Sequence, residues 1–193
     1  GIMIKEIQRL ARLINQVLNF QKIESGRMQS QIGSADLRKV IEDAVAASSQ
    51  LVTNKQIRLQ VDLPDAVPAI IGDRDQLIQA MVNLISNAVK FCEEKTGVIA
   101  IALARRGDAL RVSVQDNGVG ISAADQKVIF EQFRQVATAG RGRPPGSGLG
   151  LTITRRIIEF HGGRISVESE PGQGATFTFE IPLQTPLAAH GGS

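Results

Sequence analysis

Two strand-like runs, Val98 to Leu103 and Leu110 to Val114, are joined through Arg106-Gly107-Asp108. A connection that short closes a β-hairpin and has no room for a crossover helix, so these strands run antiparallel. Helical patterns lie on both sides of the hairpin. Asp36 caps a helix running to about Gln50, and Gly72-Asp73 open another reaching about Glu94, with Asp73 as cap and Gln76 three residues on, a loose capping box. Between them Ile57, Leu59, Val61 and Leu63 alternate with polar residues as a half-buried strand that Pro64 ends. Ser122 with Asp125 marks a further helix start. A glycine- and proline-rich loop then runs from about Gln135 to Gly146, and a helix to Phe160 follows. Ile165-Val167 and Phe177-Phe179-Ile181 form a closing strand pair, Ser30 to Ala35 reads as a linker, and the tail from Pro186 frays. Helices and antiparallel pairs mixed without regular βαβ alternation point to an α+β, two-layer sandwich with a mixed sheet. They exclude a doubly wound nucleotide fold, and no Walker-type glycine-lysine loop is present.

Upstream of this block, residues 3–29 contain no proline. Met3, Ile7, Leu10, Ile14 and Val17 recur at spacings of four and three, and Leu13, Leu18 and Phe20 widen the stripe. A helix with that face needs cover. It either dimerises or joins a helical bundle, or it packs on its own domain.

Charge narrows the partners less than it first suggests. The net charge is +3, yet aromatics are 4% with no Trp or Tyr, which leaves few side chains for base stacking, so nucleic acid is not the expected partner. No apolar run approaches the roughly 18 residues that span a bilayer, so no membrane contact is expected of these residues and any anchor lies outside them. The single cysteine, Cys92, fits a reducing, cytoplasmic setting and reads as a packing residue beside Phe91.

Three constellations carry possible chemistry. Asn83, Asn87 and Lys90 share one helix face, while Leu77, Met81, Leu84, Ile85 and Ala88 supply the other. Neutral carboxamide oxygens suit a Mg²⁺ already neutralised by polyphosphate, and an ammonium adds a point charge for phosphate; an ordinary solvated face has the same composition. Asp116-Asn117-Gly118-Val119-Gly120-Ile121 ends a strand. It is either a plain turn or a place where an ionised carboxylate accepts from an exocyclic amine such as adenine N6. Gly146-Ser147-Gly148-Leu149-Gly150-Leu151 leads into a helix. It is either a flexible connector or a phosphate site at a helix N-terminus, with Arg141 and Arg143 just upstream.

Taken together, the three match a family. The chain resembles the catalytic region of two-component sensor histidine kinases, within the superfamily shared with DNA gyrase and mismatch-repair ATPases. Asn83 to Phe91 resembles its N box, Asp116 to Ile121 its first glycine box and Phe130-Glu131-Gln132-Phe133 its F box. Gly146 to Leu151 resembles its second glycine box, and Gly172-Gln173-Gly174-Ala175-Thr176-Phe177 its closing turn and strand. The resemblance covers about residues 5–183. It implies a Bergerat-type ATP-binding sandwich over 35–185, preceded by the second helix of a dimerising hairpin over 1–30. By position, Asp116 meets adenine, Asn83 and Asn87 hold Mg²⁺, and Lys90 meets phosphate. Gly118, Gly120, Arg143, Gly146, Ser147, Gly148, Leu149, Gly150 and Thr176 complete the ATP pocket. The lid spans about 134–147, with Phe130 and Phe133 at its base.

The superfamily's hydrolases carry a Glu four residues before the magnesium Asn; here that position is Asn83, which is no base near neutral pH. Transfer to a protein histidine is therefore expected over hydrolysis. His161 sits at a helix C-terminus, where the macrodipole favours its charge, and His190 lies in the tail. Neither is the expected acceptor. That role falls to a hairpin histidine outside this sequence, in a homodimeric full-length protein that serves a response regulator. The rival readings are a partner-docking module with a regulatory nucleotide pocket, and a serine-directed or ATP-hydrolysing relative.

Overall fold

A computed structural model of the chain describes residues 31–132, 134 and 148–183. The expected helix over 3–29, Phe133, the loop residues 135–147 with Arg141, Arg143, Gly146 and Ser147, and the tail with His190 lie outside the described residues.

The elements run β1 (Ile32–Ala35), α1 (Leu37–Asn54), β2 (Arg58–Asp62), β3 (Ile70–Asp73), α2 (Arg74–Phe91), β4 (Val98–Arg106), β5 (Ala109–Asp116), α3 (Ala123–Gln126), α4 (Gly150–Phe160), β6 (Arg164–Ser169) and β7 (Ala175–Pro182). Five strands form one mixed sheet in the order β2-β4-β5-β7-β6. β2 lies parallel to β4 and every other pairing is antiparallel. The expected hairpin is β4–β5, closed by Gly107-Asp108 with Arg106 opposite Ala109 and Gly107 at φ +59°. β1 pairs antiparallel with β3 in a separate small sheet.

Period-two alternation puts Ile99, Ile101 and Leu103 of β4, Leu110, Val112 and Val114 of β5, and Phe177, Phe179 and Ile181 of β7 on one buried face. The buried sides of α1, α2 and α4 cover it. The opposite face carries Ala100, Ala102, Arg111 and Ser113, all partly exposed. This is the two-layer α+β sandwich anticipated from the sequence. None of the described helices is long and apolar enough to cross a membrane.

Two elements depart from expectation. The linker read over Ser30–Ala35 becomes strand β1 from Ile32 onward, and β3 was not anticipated. Ile-Gly-Ser-Ala has no alternation of its own; its pairing register, Ile32 opposite Asp73, comes from a segment about forty residues away. Asp73 does cap α2: Oδ1 accepts from the amides of Asp75 and Gln76, each at 3.1 Å. Gln76, however, reaches the cap's carboxylate (Nε2 to Oδ2, 3.0 Å) rather than its amide. The amide of Asp73 is already committed to His161 Nε2 at 2.9 Å.

Candidate functional site

α2 is the spine of the site. Its core side is buried as expected, while Asn83, Asn87 and Lys90 are partly exposed along the other stripe. Asn83 Nδ2 donates to Gly150 O at 3.2 Å and Thr154 Oγ1 at 3.4 Å, which ties mid-α2 to the first turn of α4. At the other end of the stripe, the first glycine box rests on the helix terminus. A Cβ on Gly118 would come within 2.6 Å of Phe91 O, one residue from Lys90. The three constellations therefore converge on one side of α2. Lys90 Nζ lies 5.1 Å from the Phe91 ring centroid, and partial burial pushes its pKa down, a bias that an anion brought beside it would reverse.

Asp116 ends β5 on the same sheet face as Val112 and Val114, so its carboxylate points towards the helices and is buried. Oδ1 accepts from Gly118 N at 2.8 Å. Burial pushes its pKa up, and backbone N–H groups of Gly118 and Ala175 oppose that shift. An ionised carboxylate has about four acceptor positions, so two amide bonds leave capacity for a ligand amine.

The glycines of this box are required by the fold: a Cβ on Gly120, at φ +70°, would collide with Glu170 O, and one on Gly118 would collide with Phe91 O and Asp116 Oδ1. The box packs backbone against backbone.

At the start of α4, Gly148 has φ +71°, the N-cap Leu149 makes no side-chain cap, and among the described residues a Cβ on Gly150 would meet only Asn83 Cγ, 3.9 Å away. A helix N-terminus without a side-chain cap suits a phosphate chain. The Leu149 side chain is buried in the core and anchors this turn, which leaves only its backbone to meet a ligand. Among the described residues no three His, Cys, Asp or Glu side chains gather as metal ligands. The carboxamide oxygens of Asn83 and Asn87 could help hold a Mg²⁺ that is carried largely by phosphate oxygens.

Thr176 does not belong to this face. Ala175 pairs with Asp116 and Phe177 with Val114, whereas Thr176 pairs with the exposed Gln115 and therefore points to the other side of the sheet. There it lines a cleft of about 390 Å³ with Gln126, Glu168 and Glu170. Those carboxylates do not suit phosphate. The neighbour of Asp116 on β7 is Ala175.

Residues 72–185 match the family described as histidine kinase-, DNA gyrase B-, and HSP90-like ATPase. The chain belongs to this family. Its relatives place it with the sensor histidine kinases: it is 38% identical over 179 residues to the alginate biosynthesis sensor protein KinB of Pseudomonas aeruginosa, covering 93% of this chain and 29% of KinB. Full-length ShkA, solved in complex with AMPPNP, superposes with TM-score 0.79 at 30% identity, over 93% of this chain and 37% of ShkA. The histidine kinase ThkA, solved in complex with the response regulator TrrA, superposes with TM-score 0.72 at 25% identity, over 94% of this chain and 49% of ThkA. The chain spans about a quarter of the length of such curated relatives.

Several contacts that brace this domain carry no signal in the sequence. Ile121 N donates to Ser169 Oγ (2.8 Å), Ser169 Oγ donates to Gly174 O (2.6 Å), and Gln126 Nε2 bridges Ile121 O and Ser169 O. They lace the first glycine box to the β6–β7 turn. Asn117 holds the start of β4, accepting from Val98 N at 2.7 Å and donating to Thr96 O at 3.1 Å. Phe130 packs edge-to-face on Phe177 with centroids 6.3 Å apart, and its carbonyl accepts from Thr152 Oγ1. Cys92 is buried as expected, and burial raises its thiol pKa.

His161 is the other correction. Expected as a charge favoured by a helix end, it is fully buried: Nε2 accepts from Asp73 N, so Nδ1 carries the proton and donates to Ile157 O at 2.7 Å. Gly72 is needed beside it, because a Cβ there would press within 2.5 Å of the ring. Burial lowers its pKa, against smaller raising effects from the Ile157 carbonyl and Asp73. A depressed folded-state pKa makes the folded state the weaker proton binder. Stability is therefore intact above the unfolded pKa of about 6.5 and declines as pH falls below it. Urea midpoints measured between about pH 7.5 and 5.5 should fall on acidification in the wild type and flatten in His161→Gln. An equally steep fall in the variant would assign the effect elsewhere.

Proposed function

We propose that this chain binds ATP with Mg²⁺ and passes the γ-phosphoryl group to a histidine on a separate helical hairpin. The observation that carries this reading is the convergence on one side of α2: Asn83 on the start of α4, Lys90 beside the floor of the first glycine box, and Asp116 buried at the strand end. In this reading Asp116 accepts from adenine N6, Asn87 orients Mg²⁺, and Lys90 with the α4 amides holds phosphate. Arg143, Gly146 and Ser147, outside the described residues, would add contacts to the phosphates in the same reading. The bound nucleotide supplies the transferable phosphoryl group, and the domain contributes positioning and electrostatics. Asn83 spends its Nδ2 on α4, so its main part is to set the distance between the two helices; only its oxygen remains for Mg²⁺.

Water is not the favoured acceptor, because no carboxylate occupies position 83. His161 is not the acceptor either, since both ring nitrogens are engaged and the ring is buried. In this reading the acceptor lies on a dimerising hairpin to which residues 1–30, outside the described residues, would contribute, in a homodimeric, cytoplasmic kinase region; the ThkA–TrrA complex supports a response regulator as the next partner. The test is transfer from labelled ATP to an added acceptor hairpin. Wild-type chain should yield acid-labile phosphohistidine only with Mg²⁺, and Asn87→Ala should transfer at least about tenfold more slowly, the loss expected for one charge-assisted contact. Label released as inorganic phosphate, or found on serine, would overturn the reading.

A further inference from the structure

α2 ends without a glycine cap: its C-cap, Cys92, is extended, with φ −65° and ψ 153°. The last carbonyls of such a helix need donors from elsewhere. They come from Lys55, whose Nζ donates to the carbonyls of Val89 (2.7 Å), Lys90 (3.0 Å) and Cys92 (2.7 Å). All three ammonium protons are used. Lys55 is itself held firmly. It follows the last residue of α1, its carbonyl accepts from Lys95 N at 3.0 Å, and the chain turns away through Gln56 at φ +53°.

The same short stretch of α2 that Lys55 grips carries Lys90 and the Phe91 carbonyl against which Gly118 packs. Cys92 also reaches the first glycine box, its sulfur 3.6 Å from Asn117 Oδ1. A cation at a helix C-terminus is favoured by the macrodipole. Because Lys55 fills that role, the Lys90 ammonium is not drawn back onto its own helix end; it extends over the Phe91 ring instead.

We propose that Lys55 is a positioning residue for nucleotide binding: it fixes the last turn of α2 so that Lys90 faces the phosphates and the Asp116–Gly118 turn keeps its floor. The role rests on the ATP reading above, and it acts through Lys90 rather than by contact with ligand.

A double-mutant cycle tests it, read by calorimetry with ATP and Mg²⁺ on folded protein verified by circular dichroism. Lys55→Met and Lys90→Met should each weaken binding about tenfold, and the double variant should fall well short of the roughly hundredfold loss of independent sites. Lys55→Arg, which keeps charge and donors, should restore most of the affinity. If Lys55→Met does not fold, the same cycle is read with Lys55→Gln, which keeps an amide donor. Additive losses, or wild-type affinity in the Lys55 variants, overturn the role while leaving the ATP site standing. A wild-type chain that binds no ATP overturns the site and this role together.

Discussion

Asp116→Asn is expected to weaken ATP binding by roughly 10- to 150-fold, the equivalent of a charge-assisted hydrogen bond of about 1.5–3 kcal/mol. The same change should leave the unliganded domain as stable as the wild type, or more so. Asp116 is buried, and burial raises its pKa. Its folded-state pKa lies above the unfolded value, so the stability it contributes is present below that unfolded pKa and is lost as pH rises through the folded one. At neutral pH the ionised group is a cost to the fold, which a neutral Asn does not carry. Asn can still accept from Gly118 N through its own oxygen, but its amino group then faces the adenine amine, donor against donor. The pH dependence of binding follows the same group. Affinity should drop as the solution is acidified through a pKa above the ordinary carboxylate value, and Asp116→Asn should lose that dependence. Calorimetry across the acid range and urea titration of both proteins check the pair. Unchanged ATP affinity in the variant would remove Asp116 from adenine recognition.

Gly174→Ala should be the most damaging single methyl around Asp116. At φ +80° its added Cβ would collide with Asp116 O and lie 2.7 Å from Asp116 C and 2.8 Å from Asn117 Cα. The left-handed backbone alone costs an alanine about 1–2 kcal/mol. The overlap must in addition push β7 away from the end of β5, for a total of roughly 3 kcal/mol or more. Gly172 provides the internal control. Its φ is +81°, but a Cβ there meets nothing within 4 Å. Gly172→Ala should therefore show the conformational cost alone, and the difference between the two urea midpoints isolates the collision. Equal midpoints would mean that the turn yields freely and that Asp116 is not held by β7.

Periodicity determined which side of each element is apolar, and so the amphipathic α2 with its Asn83, Asn87, Lys90 stripe, the β4–β5 hairpin, and the sandwich that hides both apolar faces were legible in the sequence. So was the order of the glycine boxes, because a turn's residues are its local signal. What lies across two elements was not. A period of two makes a strand's face depend on a single residue of register, and nothing within Gly172-Gln173-Gly174 says whether Ala175 or Thr176 comes to rest beside Asp116. Likewise β1 and β3 acquire their pairing only from each other, and His161 is neutral because Asp73, 88 residues away, supplies the amide that fills Nε2. The three carbonyls that Lys55 gathers lie 34 to 37 residues along the chain. Sequence encodes faces, since they repeat along one element. Tertiary structure decides contacts, since their energy exists only when distant elements are brought within hydrogen-bond reach.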